Sequence, residues 1–114
     1  MYLIHSTQLA SSWLPRPVDA LHFLAMRFMV IETFRPGQLD AVAERFRQQG
    51  RMLPEGVDYE ASWLDDAGTR CYQVMEAPSP ALLNEWIARW SDLVDFEVVP
   101  VVTSAEFWAR RTTK

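Results

Sequence analysis

Cysteine, histidine, lysine and glycine are all scarce in this 114-residue chain, and each scarcity closes off some chemistry. A single cysteine, Cys71, forbids an intrachain disulfide and gives no sign of an oxidising compartment. The two histidines, His5 and His22, both precede the well-patterned part of the chain, so no Ser-His-Asp or Cys-His arrangement can be built there. One thiol does not make a zinc site, and no metal is expected. Lysine occurs once, at Lys114, a poor place for a Schiff base. There is no Walker loop and no GxGxxG, and no cofactor is implied. Basic residues are outnumbered by acidic ones, 11 against 15, which leaves no electrostatic footprint for nucleic acid. No stretch approaches the roughly 18 apolar residues of a membrane span. No basic residue precedes Arg16 and the early apolar runs are short, so a secretory signal is absent by pattern. A soluble cytoplasmic protein is the expectation.

What the chain does have is apolar residues, 49% of the total, and five tryptophans. That suits one ordinary globular domain. Residues 1–25 read differently from the rest, being interrupted by Ser11, Ser12 and the extended break Pro15-Arg16-Pro17. They are expected to be an N-terminal extension upstream of a natural start at Met26; the alternative is an arm that packs on the domain or on a partner. Residues 26–102 form the expected core domain, and residues 103–114 a short closing helix and basic tail.

Met26 to Phe34 is β-rich, with Phe28, Val30 and Phe34 on one side and Met29 and Ile31 on the other, the pattern of a central strand covered on both faces. From Gln38 to Gln49 the period becomes helical: Leu39, Val42, Ala43 and Phe46 make one stripe, and Gly50 supplies a stop. Val57 to Leu64 alternates again, placing Tyr59 and Trp63 on one face, and Asp65-Asp66-Ala67-Gly68 makes a hairpin turn into Thr69 to Ala77. A four-residue loop sets Trp63 beside Arg70; a three-residue loop with a bulge at Gly68 sets it beside Cys71. Ser79 caps and Pro80 opens a second helix bearing Leu83, Trp86, Ile87 and Trp90. Phe96 to Val102 is the last strand, an edge by virtue of Pro100. Ser104 is expected to cap a closing helix with Phe107 and Trp108.

The order β-α-β-β-α-β predicts an α+β, ferredoxin-like fold: a four-stranded antiparallel sheet in the order 4-1-3-2, with both helices on one face. Two helices leave the other face uncovered, although several strands are apolar on both sides. A homodimer packing sheet on sheet, like a dimeric α/β barrel, is therefore expected; the competing cover is residues 1–25 with the final helix.

Several runs carry a family resemblance: Met26-Arg-Phe-Met-Val-Ile-Glu-Thr-Phe34, Gly50-Arg-Met-Leu-Pro-Glu-Gly56, Ser62-Trp63, Arg70-Cys-Tyr-Gln-Val-Met-Glu76, and the segment from Trp86 to Ser104. Over residues 26 to about 106 the chain resembles the bacterial proteins grouped as domain of unknown function 3303. The resemblance implies a small stand-alone bacterial protein, leaves residues 1–25 outside, and brings no established activity.

The residues left for chemistry are few. Cys71, in a central strand, reads as a small buried hydrophobe. Asp92, Asp95 and Glu97 read as a solvated acidic turn rather than a hard-metal site. Glu32 and Glu76 are candidates for a partly buried acid, with a ladder-edge or capping carboxylate preferred. Arg45, Arg47 and Arg51 read as a salt-bridged surface ahead of an anion site. Aromatic stripes are mostly core, but they also line helix–sheet clefts. Tyr59, Trp63, Tyr72, Glu76 and Trp86 are the ligand-binding candidates; no catalytic residue is assigned. The leading expectation is a homodimer holding an apolar or aromatic small molecule in the helix–sheet cleft. The alternatives are an enzyme of the cofactor-independent monooxygenase type, by fold analogy only, and a structural or interaction dimer without ligand.

Overall fold

The computed structural model describes residues 25–112. The expectations about residues 1–24, including the two histidines, and about Lys114 lie outside that range.

The chain runs β1 (Met26–Phe34), α1 (Leu39–Gln49), β2 (Asp58–Leu64), β3 (Arg70–Ala77), α2 (Pro80–Ala88), β4 (Val94–Val101) and α3 (Ser104–Thr112). One antiparallel sheet has the order β2-β3-β1-β4, the 4-1-3-2 arrangement read from the other side. β1 is central and β4, carrying Pro100, is an edge. Alternation sorts the side chains: Phe28, Val30 and Glu32 of β1, with Cys71, Gln73, Met75 and Ala77 of β3, are buried on the face toward the helices. Phe28, Val30, Met75 and Ala77 pack there with Leu83 and Trp86 of α2, and Trp86 meets Phe96 of β4 edge-on at 5.6 Å.

The turns explain two departures from the sequence pattern. Trp63 pairs with Tyr72, and Leu64 with Cys71, so neither proposed hairpin register holds. Asp65 is the cause. Its carboxylate accepts from the backbone N–H of Thr69 at 2.8 Å and of Arg70 at 3.0 Å, drawing Thr69 out of the ladder and into the loop. Gly68 takes the positive φ expected of it, +73°. Upstream, β2 carries one extra residue between Tyr59, opposite Met75, and Ala61, opposite Val74. That bulge at Glu60 reverses the facing of everything after it.

Ser79 caps α2 through its Oγ, which accepts from Leu82 N at 3.2 Å, and Pro80 opens the helix as expected. At α3 the cap lies one residue earlier than expected, at Thr103. Its Oγ1 accepts from Glu106 N at 3.0 Å while Glu106 Oε1 accepts from Thr103 N at 2.8 Å, a reciprocal capping box. α3 leaves Phe107 and Trp108 exposed. The outer sheet face holds Met29, Ile31 and Val74, each half-buried, and the exposed Trp63 and Val99.

Candidate functional site

α1 buries no residue at all, although its apolar stripe is intact. Leu39 is 45% exposed and Phe46 43%. Of the stripe, Val42 packs on the core while the rest roofs a cleft of about 240 Å³. Leu39, Val42, Ala43 and Phe46 form the roof; Phe34, Leu64, Trp86 and Trp90 form apolar walls. The polar members are Glu32, Gln73, Ser62, Cys71 and Arg51. A dry apolar cavity of roughly 150 Å³ suffices for benzene, so this space suits a one- or two-ring molecule.

Glu32 and Gln73 lie at the floor, and Gln73 Nε2 donates to Glu32 Oε2. Burial pushes the Glu32 carboxyl up to about 7, against the opposing pull of the Arg51 charge and of the Gln73 hydrogen bond. Cys71, directly opposite Glu32 on β3, has its thiol pushed up to about 12 by burial and then by the nearby Glu32 charge. It is a protonated filler of the wall, not a nucleophile. Alkylation of Cys71 by iodoacetamide at pH 8 is accordingly expected to be on the order of a hundredfold slower than that of an ordinary thiol, rising to the ordinary rate in urea. Mass spectrometry of timed samples checks this; fast labelling of the folded protein would contradict it.

Arg51 is placed with unusual care. Its carbonyl oxygen accepts from the indole N–H of both Trp86 and Trp90, at 3.0 Å each. The next residue, Met52, adopts a left-handed φ of +59°, costly for a side chain of this kind, and its carbonyl accepts from Arg89 Nη1 at 2.7 Å. Three side chains from α2 and the turn after it thus fix residues 51 and 52. Gly50, at φ +68°, closes α1 by donating its N–H to Phe46 O at 2.8 Å. The Arg51 guanidinium then lies 3.5 Å over the ring of Tyr59 and 5.2 Å from that of Phe46.

Of the five residues singled out from the sequence, Trp86 lines the cleft and Tyr59 borders it, its hydroxyl 2.8 Å from Ser62 Oγ. Trp63, Tyr72 and Glu76 lie on the other face of the sheet. The shared face expected for Tyr59 and Trp63 is undone by the bulge at Glu60. Glu76 instead joins Glu60 around Arg27, whose Nη2 donates to Glu76 Oε2 at 3.0 Å. Burial and the adjoining Glu76 push Glu60 up to about 7. The arginine group splits as well: Arg45 makes a two-pronged pair with Asp92, Arg47 pairs with Glu44, and only Arg51 turns to the cleft. Asp95 is held by Arg35 at 3.2 Å.

Gln73 and Ser62 were not singled out for the site; Arg51 was named, with a salt-bridged surface preferred to an anion site, and Glu32 was a candidate buried acid with a ladder-edge or capping carboxylate preferred. Glu32 had a signal, since it shares the parity of Phe28, Val30 and Phe34 and so sits in the buried set. Nothing in the sequence separated Arg51 from Arg45 and Arg47, because two indoles 35 and 39 residues away hold its backbone at the cleft. A larger hollow, about 540 Å³, lies between α3 and the end of the sheet and is lined by Arg27, Glu76, Glu106 and Arg110 among others. Its charged rim makes it a poor match for an apolar molecule.

Fold and cleft together define a small α+β protein of the ferredoxin-like pattern with an open pocket between its first helix and its sheet. Residues 26–112 match the family described as Domain of unknown function (DUF3303), and the chain belongs to that family. No curated protein and no solved structure matches the chain. Among the described residues, no helix is long and apolar enough to cross a membrane.

Proposed function

We propose that this protein binds a small, largely apolar or aromatic molecule in the cleft beneath α1, and acts as a cytoplasmic homodimer joined through the outer face of its sheet. One observation carries the binding reading: a helix with a full apolar stripe that fully buries none of it, with only Val42 packed on the core, held over a space of about 240 Å³. A filled core would have closed that space. The outer face supports the dimer, because Trp63, 59% exposed, and Val99 extend the half-buried row of Met29, Ile31 and Val74. A lone thiol held protonated inside the fold fits the cytoplasm.

Native mass spectrometry of the full chain purified from its own cells tests both parts. The expected result is twice the 13.2 kDa chain mass plus a retained small molecule. A bare monomer that also fails to change its tryptophan emission with one- and two-ring aromatics would overturn the reading. A second reading, an enzyme working without a cofactor, is favoured by Glu32. A buried carboxyl at about 7 inside a cleft is suited to taking a proton from a bound molecule.

A further inference from the structure

We propose that the occupant of the cleft carries an anionic group, a carboxylate on a one- or two-ring aromatic body, and that Arg51 binds it with Glu32 as the proton-controlled gate on affinity. The inference rests on the cleft-binding reading and adds the chemistry of the ligand to it.

Arg51 supplies the first argument. Among the described residues no ion pair involves it, whereas Arg27, Arg35, Arg45 and Arg47 each face a carboxylate. Its charge is carried instead on aromatic faces, those of Tyr59 and Phe46, at the border of an apolar space. Among the described residues its guanidinium donates no hydrogen bond either, which leaves its N–H groups for a planar, two-oxygen partner, the geometry in which arginine and carboxylate bind best. The backbone around it is fixed by Trp86, Trp90 and Arg89, and Met52 sits in a left-handed conformation. Strain and three side chains spent on one loop place the guanidinium ahead of any ligand, so little ordering is lost on binding.

Glu32 supplies the second. It faces the same space, and described residues from several elements surround it. Gln73 and Cys71 stand beside it on β3, Phe96 opposite on β4, Arg51 on the loop, and the apolar stripe of α1 above. Among the described residues, Arg51 acts on its titration by charge and Cys71 borders it as an acid that stays neutral. With its carboxyl folded at about 7, Glu32 is mostly neutral at pH 6, and the cleft then presents a net positive charge. At pH 8.5 it is mostly ionised and opposes a second anion. An aromatic carboxylate, itself ionised throughout this range, therefore binds more weakly as pH rises through 7, and a neutral analogue does not.

The test uses the full chain, with 2-naphthoate and the uncharged 2-naphthalenemethanol as probes, followed by calorimetry and tryptophan emission. At pH 6 naphthoate is expected to bind at least about tenfold more tightly than the alcohol, from one charge-assisted pair. That preference is expected to shrink by pH 8.5. Arg51→Met should abolish the preference by weakening naphthoate about tenfold more than the alcohol, and Glu32→Gln should keep it and flatten its pH dependence. The Arg51 side chain can be changed without touching the carbonyl that the two indoles hold. Equal binding of both probes by the wild-type protein would overturn this inference and leave the cleft reading standing; binding of neither would overturn both. A preference that survives Arg51→Met would also sink it.

Discussion

Replacing Glu32 with glutamine should make the protein more stable at pH 8 than the wild type, and should remove most of the decline in stability between pH 5 and pH 8. The sign follows from which state holds the proton. In the fold Glu32 titrates at about 7, in the unfolded chain near its ordinary 4.5. Between those values the folded protein binds more protons than the unfolded one, so stability falls as pH rises, and it levels off above 7. Two and a half units correspond to about 3 kcal/mol, a large share of the 5–15 kcal/mol that holds a domain together. Glutamine keeps the shape, can pair amide to amide with Gln73, and has no charge to desolvate. Urea denaturation of both proteins at pH 5, 6, 7 and 8 measures the difference. Parallel wild-type and Glu32→Gln curves would show that Glu32 is not the group responsible. Glu60, also at about 7, acts with the same sign, but its carboxyl is more open to water and its share is screened. The gain in Glu32→Gln would also mark the residue as one kept at a cost to stability, as expected of a group retained for what it does to a ligand.

The second large effect is expected at Trp86. It is the largest fully buried side chain among the described residues, 2% exposed, and it does three things at once. It fills the space between α2 and the sheet, meets Phe96 edge-on, and donates its indole N–H to Arg51 O. Trp86→Ala should cost about 3–5 kcal/mol through lost burial and the cavity left behind. Trp86→Phe keeps most of the volume and loses the hydrogen bond. Trp90 still reaches the same carbonyl, so about 1–2 kcal/mol is expected, near the net worth of one hydrogen bond plus a small packing loss. Thermal unfolding of the three proteins side by side checks the ordering. Equal losses in the alanine and phenylalanine variants would mean that the indole N–H, and not the packing, is the principal contribution.

Much of the architecture was legible because it depends on short-range periodicity. Alternation over Met26 to Phe34 marks a strand with two apolar faces, and β1 lies at the centre of the sheet. The stripe from Leu39 to Phe46 marks α1, and Ser79-Pro80 marks the start of α2. The strand order then follows from the element order and right-handed crossovers. Pattern was less informative wherever one residue decides a register. Asp65 lengthened the hairpin loop by binding Thr69 and Arg70, and the bulge at Glu60 separated Tyr59 from Trp63. Because strand facing has a period of two, a single inserted residue moved a candidate from the cleft to the opposite face.

The scarcity of histidine, lysine and cysteine by itself set the limits on this protein. It removed the common nucleophilic, zinc and Schiff-base chemistries from the core, and the hydrophobic periods fixed helix, strand and order. Those are properties of composition and of neighbours within a few positions. Only the tertiary structure decided that α1 roofs a cleft, that Glu32 is buried beside Gln73, and that Trp86 and Trp90 converge on one carbonyl to place Arg51 at the cleft. Each of these depends on residues tens of positions apart meeting in space. The same carboxylate or guanidinium is an ordinary surface group until packing takes the water away from it.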